Sequence, residues 1–127
     1  MMNEAQRNQK LKIYVAGPYT AQTIDERREN VNRAIDVAIH IFKKGHFPYI
    51  PHLTHFVDER AKEIGIDLQW DDYIAWDLAW LELCDALLML GSSKGADMEL
   101  EHAKKLGLRI FSSVEEITNE NTSRSLH

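Results

Sequence analysis

Short, mostly apolar runs of strand length alternate along the chain with longer segments of helical periodicity, and no other feature constrains its fold as strongly. Residues 11–16 (LKIYVA) are β-rich and are stopped by Gly17-Pro18. Asp25 precedes a segment in which Val31, Ala34, Ile35, Ala38, Ile41 and Phe42 recur at helical spacing until Gly45, which predicts an amphipathic helix of about five turns. Residues 47–50 read as a second strand cut off by Pro51, and residues 52–66 as a loop holding one short helix. A helix over 70–84 runs into the apolar 85–90 (DALLML), a strand that ends in Gly91-Ser92-Ser93-Lys94-Gly95. Helix follows over 96–106 with Gly107 as its cap, then a strand over 108–111 and a last helical turn over 114–117.

This order, with strands apolar enough to be covered on both faces, predicts a three-layer, Rossmann-like (flavodoxin-like) α/β fold. Its parallel sheet should hold about four to five strands, with helices on both faces. A length of 127 residues suits one domain, assigned to 11–117, with a polar, disordered lead over 1–10 and a flexible tail over 118–127. No internal repeat is visible.

Fifteen Lys plus Arg against twenty Asp plus Glu leave a net charge of −5, so no basic field exists to hold a nucleic-acid polymer. No apolar run approaches the roughly 20 residues of a membrane span, and the lone Cys84 cannot form an internal disulfide. The expectation is a cytoplasmic protein without membrane contact.

Ligands of such sheets bind beyond the carboxyl ends of the strands, which directs attention to the loops at 17–22, 51–55 and 91–95. The loop at 91–95 opens a helix whose free N–H groups attract anions, although it has neither the Walker A spacing nor a G-x-G-x-x-G pattern. Read as a plain turn it needs no ligand. On the helix that follows, Ala96, Glu99, Ala103 and Leu106 share the stripe facing the sheet, so a carboxylate lies where an apolar residue belongs. The preceding helix repeats the anomaly: Trp70, Tyr73, Ile74, Asp77, Leu81 and Cys84 line one stripe with Asp77 in its middle. The plain alternative is a buried Asp satisfied by backbone N–H groups or by Arg28. Two inward carboxylates flanking one strand instead suggest acid, base or nucleophile chemistry at its end.

Trp76, Trp80 and Leu83 form a second apolar stripe on that helix, suited to a subunit interface unless the 51–66 segment covers it. His46, His52 and His55 have the spacing H-x5-H-x2-H, which matches no standard metal site, so no metal and no cofactor are expected. His52 and His55, after a Pro at a strand end, are better placed to contact a ligand.

Three motifs in order carry a resemblance. Ile13-Tyr14-Val15-Ala16-Gly17-Pro18-Tyr19, then Trp76-Asp77-Leu78-Ala79-Trp80-Leu81 with Asp85, then Ser93-x-Gly95-x-x-x-Glu99-Leu100 with Ala103 resemble the nucleoside 2-deoxyribosyltransferase superfamily over residues 11–111. Within it the chain is most similar to the 2′-deoxynucleoside 5′-phosphate N-hydrolases. The resemblance implies that Glu99 attacks C1′ of the sugar, Asp77 assists proton transfer and holds the sugar, and Tyr14 orients the nucleophile. It also implies that Ser93 and Gly95 hold the 5′ end, with Gly17, Pro18, Tyr19 and His52 completing the substrate site.

The implied function is hydrolysis of the N-glycosidic bond of a nucleoside or its 5′-monophosphate through a glycosyl-Glu99 intermediate, in a homodimer. Base exchange by the same intermediate and a non-catalytic nucleotide-binding module are the alternatives, with cleavage of the nicotinamide bond of NAD a third. Thr20-Ala21 and Asp97 replace an Arg and a Gly common in the phosphate-recognising members, which leaves the phosphate requirement open.

Overall fold

The computed structural model describes residues 9–120. The chain runs β1 (Lys12–Ala16), α1 (Ile24–Lys43), β2 (Phe47–Tyr49), a 3-10 turn (Pro51–Leu53), α2 (Thr54–Glu63), α3 (Trp70–Leu81), β3 (Ala86–Met89), α4 (Lys94–Lys105), β4 (Arg109–Phe111) and a 3-10 turn (Val114–Glu116). The strands form one four-stranded sheet in the order β2-β1-β3-β4, every pairing parallel. With α1 on one face and α3 and α4 on the other, this is a three-layer, Rossmann-like α/β fold.

Alternation along the strands assigns each face its core. Ile13 and Val15 of β1 join Ala86, Leu88 and Phe111 against Ala34, Ala38 and Ile41 of α1. Tyr14 and Ala16 point the other way, with Leu87, against Leu81 of α3 and Ala103 of α4. Burying such an aliphatic side chain contributes about 1.5–3 kcal/mol, so the sheet's central strands hold most of the stability.

Helix boundaries follow local chemistry. Thr23 caps α1, its side chain accepting from Glu26 N at 3.1 Å, and Gly45 with φ 96° ends the segment. Ser93 caps α4 in the same way, accepting from Ala96 N at 3.1 Å, and Gly107 with φ 76° terminates it. That cap starts α4 two residues earlier than the apolar period suggests, inside the loop itself. Segment 52–66 is more helical than expected, because the 3-10 turn passes directly into the ten-residue α2.

Several expectations about packing change. Phe42 is exposed, since it falls off the Val31, Ala34, Ala38, Ile41 stripe that α1 buries, and Trp70 at the first turn of α3 and Leu106 just past the end of α4 are exposed as well, because the inward stripes extend beyond the sheet at those ends. His46 is a buried structural residue: Nδ1 accepts from Leu11 N at 3.0 Å, and Nε2 lies 2.6 Å from the Thr118 carbonyl. It thereby joins the start of β1 to residues 118–120, where Glu120 N also donates to the Lys44 carbonyl at 2.6 Å. The expectations for residues 1–8 and 121–127 lie outside the described residues. Among the described residues no helix is long and apolar enough to cross a membrane.

Candidate functional site

In the strand order β2-β1-β3-β4, the chain leaves β1 toward α1 on one face and leaves β3 toward α4 on the other. The sheet therefore opens a crevice between the carboxyl ends of β1 and β3. The two exits touch: a Cβ on Gly17 would lie 2.9 Å from Leu90 Cβ, so only glycine allows this approach. A cavity of about 280 Å3 fills the crevice and continues under α2 and the start of α3.

All three loops singled out in the sequence contribute to its wall, through Gly17 and Tyr19, through His52 and His55, and through Ser93 and Gly95. Asp77 and Glu99 lie in it too, both buried despite their charge. Tyr14 is fully buried behind them and donates its hydroxyl to Glu99 Oε2. Pro18 is not part of the wall; its carbonyl instead lies 3.2 Å from His52 Nε2.

The carboxylates have no cation to offset their burial. Asp77 Oδ1 is buried without a hydrogen-bond partner, and the charge acting on the group is that of Glu99, so neutralisation by Arg28 is not realised. Burial, then repulsion by Glu99, pushes the Asp77 carboxyl up to about 8. Burial also raises Glu99 to about 7, against the Tyr14 hydrogen bond that favours its ionised form. The Tyr14 hydroxyl is held far above its ordinary value by burial and by both carboxylates, so it remains a donor. At neutral pH the pair thus offers one carboxylate with a free oxygen and one carboxylic acid still holding its proton.

Beside Tyr14 the ring of Tyr49 stacks at 5.4 Å, and Trp80 stacks on Tyr49 at 6.0 Å. Trp80, Trp76 and Leu83 are all exposed, so the 51–66 segment does not cover that stripe.

The opposite wall comes from α2, which sequence reasoning left without a role apart from His55. Asp58 accepts from Tyr73 Oη at 2.7 Å and pairs with Lys62 Nζ at 2.9 Å. Burial alone would raise the Asp58 carboxyl, but hydrogen bonds from Lys62 and Tyr73 outweigh it and hold the group below its usual range. Thr54, Asp58 and Lys62 fall at i, i+4 and i+8, a helical stripe of polar residues that an apolar period search passes over.

At the start of α4, Asp97 is turned aside: Ser92 Oγ lies 2.9 and 2.8 Å from its two oxygens. Lys94 extends its ammonium over the Trp70 ring, 4.5 Å from the centroid. Among the described residues no group of three or more His, Cys, Asp or Glu is arranged to hold a metal ion.

No curated protein matches the chain. Residues 11–113 match the family described as a domain of unknown function (DUF7768), and the match spans β1 to β4 together with every residue of the site, so the chain belongs to that family.

Proposed function

We propose that this protein is an N-glycosidase that releases the base from a nucleoside or nucleoside 5′-monophosphate. The observation that carries the reading is the buried Glu99–Asp77 pair with Tyr14 behind it, at the carboxyl ends of β1 and β3 and open to a cavity. Cleavage through an oxocarbenium-like transition state needs a carboxylate beneath the anomeric carbon and an acid near the departing base.

In this reaction Tyr14 holds Glu99 Oε2, and the other Glu99 oxygen forms a bond to C1′ as the C1′–N bond breaks. Asp77, retaining its proton near pH 7, gives that proton to the leaving base. A water then attacks C1′ of the glycosyl-Glu99 intermediate, its proton passes to the Asp77 carboxylate, and both groups are restored. Gly17, Tyr19 and His52 line the sugar and base, and Ser93 and Gly95 at the start of α4 face the 5′ end. The same intermediate supports transfer when a second base reaches it before water does.

The exposed Trp76, Trp80 and Leu83 stripe supports a homodimer, because an aromatic patch of this kind gains most by meeting its own copy. Trp80 also stacks toward Tyr14 through Tyr49, which connects this face to the site.

The test is chromatography of free bases after incubation with ribo- and deoxynucleosides and their 5′-monophosphates, beside Glu99→Gln. Release that disappears in the variant is the expected result, and exchange into added free base identifies transfer. Ligand-induced thermal stabilisation without release from any substrate overturns the reading in favour of a binding module.

A further inference from the structure

Among the described residues Tyr14 is the one hydrogen-bond donor to the Glu99 carboxyl, and Glu99 is the one hydrogen-bond partner of the Tyr14 hydroxyl. The hold on Glu99 is therefore only as firm as the packing of the Tyr14 ring. The hydroxyl stands at the far end of that ring. A tilt about Cβ moves it more than any other ring atom, and a hydrogen bond weakens steeply once its angle is lost.

Register sets the neighbours of the ring. In the sheet Tyr14 pairs with Leu87 of β3 on one side and with Tyr49 of β2 on the other, so the three side chains share the face beneath α3 and α4. Leu81, Leu87 and Ala103, all fully buried, limit the ring on the inner side. Toward the sheet edge that limit comes from Tyr49, since beyond β2 the sheet has no further strand. The Tyr49 ring stacks on Tyr14 with centroids 5.4 Å apart and planes 28° from parallel.

Alone, Tyr49 would be a weak brace, because β2 is only three residues long. Trp80 of α3 stacks on Tyr49 in turn, at 6.0 Å and 17° from parallel. The three rings thus tie the edge strand to the helix that also carries Asp77. Tyr49 is not part of the cavity wall, so it reaches a ligand only through Tyr14 and Glu99.

Deepening the base-release reading, on which its kinetic consequence rests, we infer that Tyr49 is a positioning residue: its ring, braced by Trp80, holds the Tyr14 hydroxyl on Glu99 and keeps the second carboxylate oxygen free to meet the anomeric carbon. The ring performs this role and the Tyr49 hydroxyl does not.

The test follows ionisation of the Glu99 carboxyl by carbon NMR of glutamate-labelled protein, with its signal assigned by Glu99→Gln. In the wild type the midpoint should lie near 7. Tyr14→Phe removes the hydrogen bond and, since a donor favours the ionised form, should raise the midpoint by about one pH unit. Tyr49→Leu should raise it by a large part of that shift, while Tyr49→Phe, which keeps the ring, should leave it in place. Tyr49→Leu added to Tyr14→Phe should shift it no further, because the contact it acts through is already gone. A merely structural role, or altered burial of Glu99, would shift the midpoint equally with and without the Tyr14 hydroxyl. Trp80→Leu should give a smaller rise, and it is judged by the same criteria if Tyr49→Leu fails to fold. In base release, Tyr49→Leu should lower kcat about tenfold at unchanged KM.

A midpoint that Tyr49→Leu leaves in place, one that Tyr49→Phe moves as far, or shifts that add in the double variant overturn the inference. A change confined to KM overturns it as well. The titration needs no substrate, so the two readings fail separately. The expected midpoints without base release from any substrate uphold the positioning of Glu99 and overturn the N-glycosidase reading. Base release without those midpoints overturns the role of Tyr49 alone.

Discussion

The face of the sheet beneath α1 and the face beneath α3 and α4 are made from the same four strands, yet they bury different chemistry. On the α1 side, Ile13, Val15, Leu88 and Ile41 close an aliphatic core with no charge inside it. On the other side, alternation in β1 turns Tyr14 inward, and α3 and α4 bring Asp77 and Glu99 to the strand ends. Both faces pack apolar side chains, but only the second also carries groups that cost free energy to bury. The lesson is that the costly chemistry sits one strand position away from purely apolar packing, separated only by the pleat.

The strongest test of this contrast is Glu99→Gln. Base release should fall by more than about 10^3-fold, while the fold becomes more stable at pH 8. The sign follows from the raised carboxyls. Glu99 at about 7 and Asp77 at about 8 both lie above their ordinary values of 4.5 and 3.8, so the folded state binds protons more tightly than the unfolded chain. The pair costs nothing below about pH 4 and progressively more as pH rises through 7 and 8. Glutamine removes its share, a gain of up to about 3 kcal/mol that denaturant melts should register at pH 8 and not at pH 4.

Asp77→Asn should lower base release by about 10^2 to 10^4-fold, the usual worth of a positioned acid. In the wild type, release should rise with pH as Glu99 ionises near 7 and fall as Asp77 loses its proton near 8. The variant should lose the alkaline limb. A pH–rate profile without that difference would mean that Asp77 is not the proton donor.

On the aliphatic face the pattern should invert. Leu88→Ala should cost about 2–5 kcal/mol of stability by urea titration and leave the specific activity of the folded fraction unchanged. Gly17→Ala joins the two regions, since its new methyl meets Leu90 Cβ at 2.9 Å. A loss of about 1–3 kcal/mol accompanied by weaker substrate binding is expected. The smallest effect belongs to Ser93→Ala, which removes the cap of α4 and should cost about 1 kcal/mol, read as a lower Tm.

Much of the site was legible because a helix exposes its errors: a carboxylate on an apolar stripe stands out at i, i+3 and i+4 spacing, and Asp77 and Glu99 were found that way. The three loops were legible because strands ending in Gly or Pro announce where a parallel sheet presents its ligand end. The α2 wall escaped the same reading, since Thr54, Asp58 and Lys62 face a cavity rather than a core, and a polar residue toward a cavity looks like one toward solvent. His46 was illegible for the opposite reason: its partners, Leu11 N and the Thr118 carbonyl, are backbone groups 35 and 72 residues away.

The sequence by itself determined the order of elements, the parallel three-layer architecture and the two misplaced carboxylates, because each is written in periodicities of a few residues. Only the tertiary structure decided which groups share a cavity and which of them pair within it. Those depend on contacts between Tyr14 and Glu99, Tyr19 and His55, and Tyr73 and Asp58, 85, 36 and 15 residues apart, which no local pattern records.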